Sequence, residues 1–96
     1  MRNEALLETL AQFQQSRKEK YGIIRIGIFG SAVRENAAEY EDVDIVVEIA
    51  EPDLMTMVGI KQELEELLQR PVDVVRFRDT MNPFLKQRIV RDAVYV

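Results

Sequence analysis

Among its 96 residues the chain has no cysteine and no histidine. Without cysteine there are no disulfides and no thiolate metal sites. Without histidine the commonest general base and the commonest zinc ligand are gone, and with them every Ser-His or Cys-His nucleophile pair. Any chemistry must run on carboxylates, hydroxyls and a hard metal ion. Long apolar runs are missing too. Met1-Arg2-Asn3-Glu4 leads into a charged amphipathic segment rather than a signal peptide, and no apolar stretch is long enough for a membrane span. The expectation is a cytoplasmic protein with no membrane partner. A surplus of positive charge is also absent. The net charge of −4 argues against a general nucleic-acid-binding surface, so no direct nucleic-acid binding is expected.

What is present suffices for one compact core. Hydrophobic residues make up 47% of the chain and charged residues 31%, which gives a core and a well-solvated surface. With no repeats, low-complexity tracts or linkers, a single domain over residues 1–96 is expected.

Residues 23–48 organise the rest. Isoleucine-rich residues 23–29 read as a buried strand, Gly30-Ser31 as the turn that ends it, and residues 43–49 as a second strand. Asp42 and Asp44 are two apart, so the period of a strand puts both carboxylates on one face. Two like charges that close require a cation or a proton. Asp44 lies within Val43-Asp44-Ile45-Val46-Val47, where an uncompensated charge is costly, and a ligand role accounts for it. Gly30-Ser31 taken alone is an ordinary turn with serine as helix cap. Beside paired carboxylates, a small residue, a hydroxyl and leading backbone amides suit a phosphate. The combination equips a chain for metal-assisted phosphoryl or nucleotidyl transfer. Residues 32–41 read as a short helix and loop. Arg34 has two readings there, a phosphate contact or a surface ion pair with Glu35, Glu39 or Glu41.

Leu6, Leu10 and Phe13 recur at helical spacing with Leu7 beside them, which predicts a helix over residues 3–20, broken by Gly22. A turn at Glu51-Pro52-Asp53 precedes a second helix over 54–69, capped by Asp53 or Thr56. Met57, Ile60, Leu64 and Leu67 form its buried face, Gly59 allows close packing, and Glu63, Glu65 and Glu66 form its solvated face. Pro71 ends it, and residues 72–77 form a third strand carrying Asp73. The intervening helix is a crossover, which makes strands two and three parallel. For the Gly-Ser turn to meet the aspartates, strand one must run antiparallel to strand two. Asn82-Pro83 starts a helix over 84–91, and residues 93–96 add a short edge strand. The fold class is therefore α/β (α+β), a small mixed β-sheet with flanking helices. Arg76, Arg78, Lys86, Arg88 and Arg91 make this end basic. A solvated face is the plainer reading; a docking surface for an acidic partner or for nucleotide phosphates is the sharper one.

In that order, Gly30-Ser31-x-x-Arg34, Asp42-x-Asp44 and Val72-Asp73-Val74-Val75 resemble the signature of the DNA polymerase β-like nucleotidyltransferase superfamily. The short length is similar to its minimal nucleotidyltransferases, the partners of HEPN-domain proteins. The resemblance runs from about residue 21 to residue 96. It implies Asp42, Asp44 and Asp73 as catalytic carboxylates holding two Mg²⁺ ions, with Asp73 also the general base. It implies Gly30, Ser31 and Arg34 as nucleotide-binding residues and ATP as the substrate that gives up AMP. The acceptor it implies is a tyrosine of a HEPN ribonuclease toxin supplied in trans, in a hetero-oligomer, with this chain as a type VII antitoxin. Glu35 stands where the family has glycine and Glu41 where it usually has serine; neither change removes a metal ligand. The rival reading is a binding module that neutralises the HEPN toxin by contact, with catalysis weak or lost.

Overall fold

The computed structural model describes residues 4–33 and 42–96. Helix α1 (Glu4–Tyr21) leads into strand β1 (Ile23–Phe29), which ends in a 3₁₀ turn at Gly30–Val33. Strand β2 (Val43–Ile49), helix α2 (Leu54–Leu68), strand β3 (Val72–Arg76), helix α3 (Pro83–Asp92) and strand β4 (Val94–Tyr95) follow. The sheet order is β3-β2-β1-β4. β1 is antiparallel to β2 and to β4, and β2 is parallel to β3. This is the mixed sheet the crossover argument requires.

Alternation along β2 builds two cores. Val43, Ile45, Val47 and Ile49 face α1 and α2, where they join Leu10, Phe13, Ile60 and Leu64 in the larger cluster. Val46 faces the other way, into a smaller cluster with Phe29, Met81 and Ile89 beneath α3. Each aliphatic side chain removed from water contributes about 1.5–3 kcal/mol before entropy is counted, so the α1/α2 side supplies most of the cohesion. β1 meets the larger core with Ile23, Ile26 and Ile28. Ile23 and Ile26 are an odd number of residues apart, which a regular strand would send to opposite faces. A register shift between Ile23 and Arg25 restores the match and leaves Ile24 in water.

The helix ends follow local chemistry. Gly22 takes φ +66 and stops α1 in the left-handed region. Asp53 caps α2 by accepting from the Met55 amide and the Thr56 hydroxyl. Asn82 caps α3 by accepting from the amides of Phe84 and Leu85, with Pro83 in the first turn. α2 ends one residue short of the expected span, with Gln69 in the left-handed region as its C-cap. Its buried face continues through Leu68, while Leu67 is half exposed. Four-residue spacing from Leu64 reaches Leu68 and leaves Leu67 on the shoulder of the helix.

Two close approaches need glycine. A Cβ on Gly59 would lie 3.0 Å from the Tyr21 hydroxyl, so α1 and α2 meet there over a missing side chain. Glu63 accepts from that hydroxyl and from Arg17 and also pairs with Lys20, so a residue expected on the solvated face instead joins the helices. A Cβ on Gly27 would meet the backbone of β4, 2.9 Å from the Tyr95 Cα. Only glycine lets β4 lie on β1 at this register. No helix among the described residues is long and apolar enough to cross a membrane.

Candidate functional site

At one pole of the sheet, the end of β1 meets the beginnings of β2 and β3. Phe29 is the register partner of Asp44 across β1 and β2. Asp44 is in turn the register partner of Asp73 across β2 and β3. Register partners on neighbouring strands share a face. Both carboxylates therefore stand on the α3 side, in line with Val46 and Val75. Asp44 is half-buried and Asp73 exposed; Asp42, just before β2, is exposed. The placement follows from sequence pattern. The larger core claims Val43 and Ile45, which forces Asp44 outward to the opposite face.

The turn after β1 completes this pole. Gly30 takes φ +61, a conformation that side chains disfavour. A Cβ there would run into the Asp44 carboxylate and would lie 3.3 Å from Nη2 of Arg88. The bare Gly30 backbone is thus bracketed by an acid from β2 and a guanidinium from α3. Arg88 also lies over the Phe29 ring, 5.9 Å from its centroid. The expected helix after Gly30-Ser31 is, within the described residues, a 3₁₀ turn of Gly30–Val33. The leading amides of such a turn have no intrahelical acceptor. Arg34, Glu35 and Glu41 lie outside the described residues.

Behind Asp73 the backbone is held from the side. β3 is an edge strand, and the amide of Val72 donates to Glu65 Oε2 over 3.1 Å. The Val72 carbonyl accepts from Lys61, which also pairs with Glu65 at 3.3 Å. The Val72 amide first, and Lys61 second, hold the Glu65 carboxyl below the usual carboxylate range. This clamp fixes the residue next to Asp73 and satisfies two backbone groups at the sheet edge.

Among the described residues, no three acids are drawn into a ready-made metal cage. Among the described residues, the side chains at this pole that could hold a metal are the carboxylates of Asp42, Asp44 and Asp73. That suits Mg²⁺, which takes one or two carboxylates with waters and substrate phosphates rather than an all-protein shell. A hollow of about 340 Å³, lined by residues including Tyr21, Gly22, Ala50 and Thr56, lies at the opposite pole and touches none of the three aspartates. The backbone positions of Gly30, Ser31, Asp42, Asp44 and Asp73, the site residues expected from the sequence, lie toward this pole. Sequence reading left Arg88 among five basic residues of one end; Asn82 starting α3 and Ile89 pointing inward were the signals that could have singled it out.

Known proteins share this architecture. The model of the family described as "nucleotidyltransferase domain" matches residues 10–96. The protein adenylyltransferase MntA of Thermococcus cleftensis is 34% identical over 94 residues, covering 97% of this chain and 94% of its own. A solved structure described as a minimal nucleotidyltransferase is 33% identical with a TM-score of 0.71, covering 92% of this chain and 93% of its own. A structure of the tri-AMPylated Shewanella oneidensis HEPN toxin in complex with MNT antitoxin matches at 25% identity and a TM-score of 0.58, covering 88% of this chain and 69% of that one.

Proposed function

The chain belongs to the nucleotidyltransferase domain family, and on that premise we propose that it is a cytoplasmic antitoxin that moves AMP from ATP onto a tyrosine hydroxyl of a HEPN toxin. One observation carries the reading: Asp44 and Asp73 are register partners on a single face, and the side-chain-free Gly30 turn lies against Asp44. The names of relatives support the donor and the partner. The Thermococcus cleftensis protein is an adenylyltransferase, and the Shewanella oneidensis complex holds an AMPylated HEPN toxin.

The residues divide the work. Gly30 and Ser31 receive the β- and γ-phosphates, because a bare backbone lets them approach closely. Asp42, Asp44 and Asp73 would hold Mg²⁺, which supplies Lewis-acid polarisation of the phosphates when bound. Asp73 takes the proton from the attacking hydroxyl on a carboxylate oxygen, the role histidine fills elsewhere. The hydroxyl oxygen bonds to the α-phosphorus, the bridge to the β-phosphate breaks, and pyrophosphate leaves with that electron pair. The acceptor arrives on the surface of its own protein, so this chain needs no second pocket.

The test is intact-mass measurement of the cognate HEPN-domain protein after incubation with ATP, Mg²⁺ and this protein. Whole AMP increments are expected with wild type and none with Asp42→Ala/Asp44→Ala, a loss of at least about a thousandfold in rate. Absence of any increment while the two proteins still co-purify would overturn the transferase reading and leave contact-only neutralisation.

A further inference from the structure

We infer that Arg88 is a nucleotide-binding residue of this site, reading the β- and γ-phosphates of the bound triphosphate. The inference rests on the nucleotidyl-transfer reading and adds a residue to it.

Position argues first. Arg88 precedes Ile89, which anchors α3 in the core beneath it. That anchoring brings its guanidinium to the end of β1. There Nη2 comes within 3.3 Å of the point where a Gly30 side chain would begin, and the Asp44 carboxylate reaches the same point. The guanidinium thus borders the Gly30 turn beside the Asp44 carboxylate, on the side from which a phosphate held by that turn and a metal on Asp44 would be met.

The other cations of α3 are turned elsewhere. Lys86 reaches the Asp79 carbonyl and carboxylate at 3.3 and 3.6 Å. Arg91 is bonded to Asp92 at 2.9 and 3.0 Å. Arg88 also feels Asp92, whose carboxyl it helps hold below the usual range, but its guanidinium lies over the Phe29 ring, which supports a planar cation.

Charge argues second. The pole carries Asp42, Asp44 and Asp73, and a triphosphate adds several more negative charges. Arg88 brings a permanent cation with forked N–H donors matched to phosphate oxygens. It is placed to favour a triphosphate over a monophosphate, and later to hold the departing pyrophosphate.

Calorimetric titration of AMP-PNP and of AMP, each with Mg²⁺, into wild type, Arg88→Gln and Arg88→Lys tests the assignment. Arg88→Gln should weaken AMP-PNP by about tenfold or more and AMP by no more than about threefold. Arg88→Lys should fall between, keeping charge but losing the fork. In turnover, the KM for ATP should rise more than kcat falls. Undiminished AMP-PNP binding in Arg88→Gln overturns the assignment and leaves the transferase reading standing. Equal weakening of both nucleotides with a lowered melting temperature also overturns it, by making Arg88 a packing residue. If Arg88→Gln does not fold, Arg88→Lys decides by the same comparison. If wild type itself fails to bind AMP-PNP, both readings fall together.

Discussion

Two arginines lie over aromatic rings on the α3 face, one toward each end of β1. Arg25 sits 4.3 Å from the Tyr95 ring centroid and 5.1 Å from that of Phe77, and it donates to Glu48 over 2.8 Å. Arg88 sits over Phe29 and beside the Gly30 turn, facing the pole of the aspartates. Arg25 is enclosed by a carboxylate and two rings, so its charge is spent on holding β1, β2 and β4 together. Arg88 is exposed and has an aromatic floor. If the proposed role of Arg88 holds, the contrast teaches that one residue type on one face takes a structural or a ligand-directed role according to what closes around it. Burial pushes the Tyr95 hydroxyl up in pKa, with Arg25 opposing and Glu48 adding to the shift, which fits a closed cluster.

The sharpest way to break the ligand-directed pole is Gly30→Ala. The new methyl group would displace the Asp44 carboxylate and force a side chain into a left-handed backbone. We expect a loss of about a hundredfold or more in single-turnover AMP transfer, because a misplaced ligand costs that much. A stability loss of about 1–2 kcal/mol should accompany it in urea unfolding. Arg25→Ala probes the structural pole. It should lose about 1 kcal/mol, since its ion pair is partly exposed and its ring contacts are modest. Melting should fall by roughly 4–8 °C, while AMP-PNP affinity stays within about twofold. A large loss of nucleotide affinity in that variant would erase the distinction between the two arginines.

The smallest effect belongs to the clamp behind Asp73. The amide of Val72 and then Lys61 hold the folded pKa of Glu65 below its ordinary value of 4.5. A depressed carboxylate stabilises the fold above its unfolded pKa, and that contribution disappears as pH falls through the folded value. Glu65→Gln should therefore flatten the acid-side decline of stability, seen as urea midpoints that fall less between about pH 6 and pH 3. A decline as steep as wild type would mean the clamp contributes nothing.

Most of the fold was legible in the sequence because it depends on local signals. Asn82-Pro83 and Asp53 are caps whose chemistry is complete within three residues. The strand directions followed from a crossover helix and one geometric requirement, that Gly30 meet Asp44. The pairing of Asp44 with Asp73 followed because each begins an apolar strand. What stayed hidden depended on contacts across the fold. The register shift after Ile23 answers to the core above it, and Glu63 looks like any exposed glutamate until Tyr21 and Arg17 arrive from another helix. Arg88 was legible only as one of five basic residues that a surface for an acidic partner or nucleotide phosphates would use. Its neighbour Gly30 is far away in the chain, and no spacing rule links them.

The seating of β4 on β1 carries a kinetic consequence. Gly27 and Ile28 pair with Tyr95 and Val94, almost at the far end of the chain. Closing so long a loop is entropically expensive and slow compared with forming α1, α2 or the β1–β2 pair. Until it closes, the helix carrying Arg88 is joined to the sheet through the smaller core and the Gly30 turn. On the proposed reading, the strands that carry Asp44 and Asp73 can pair before β4 is seated, so nucleotide binding would be expected to appear late in refolding.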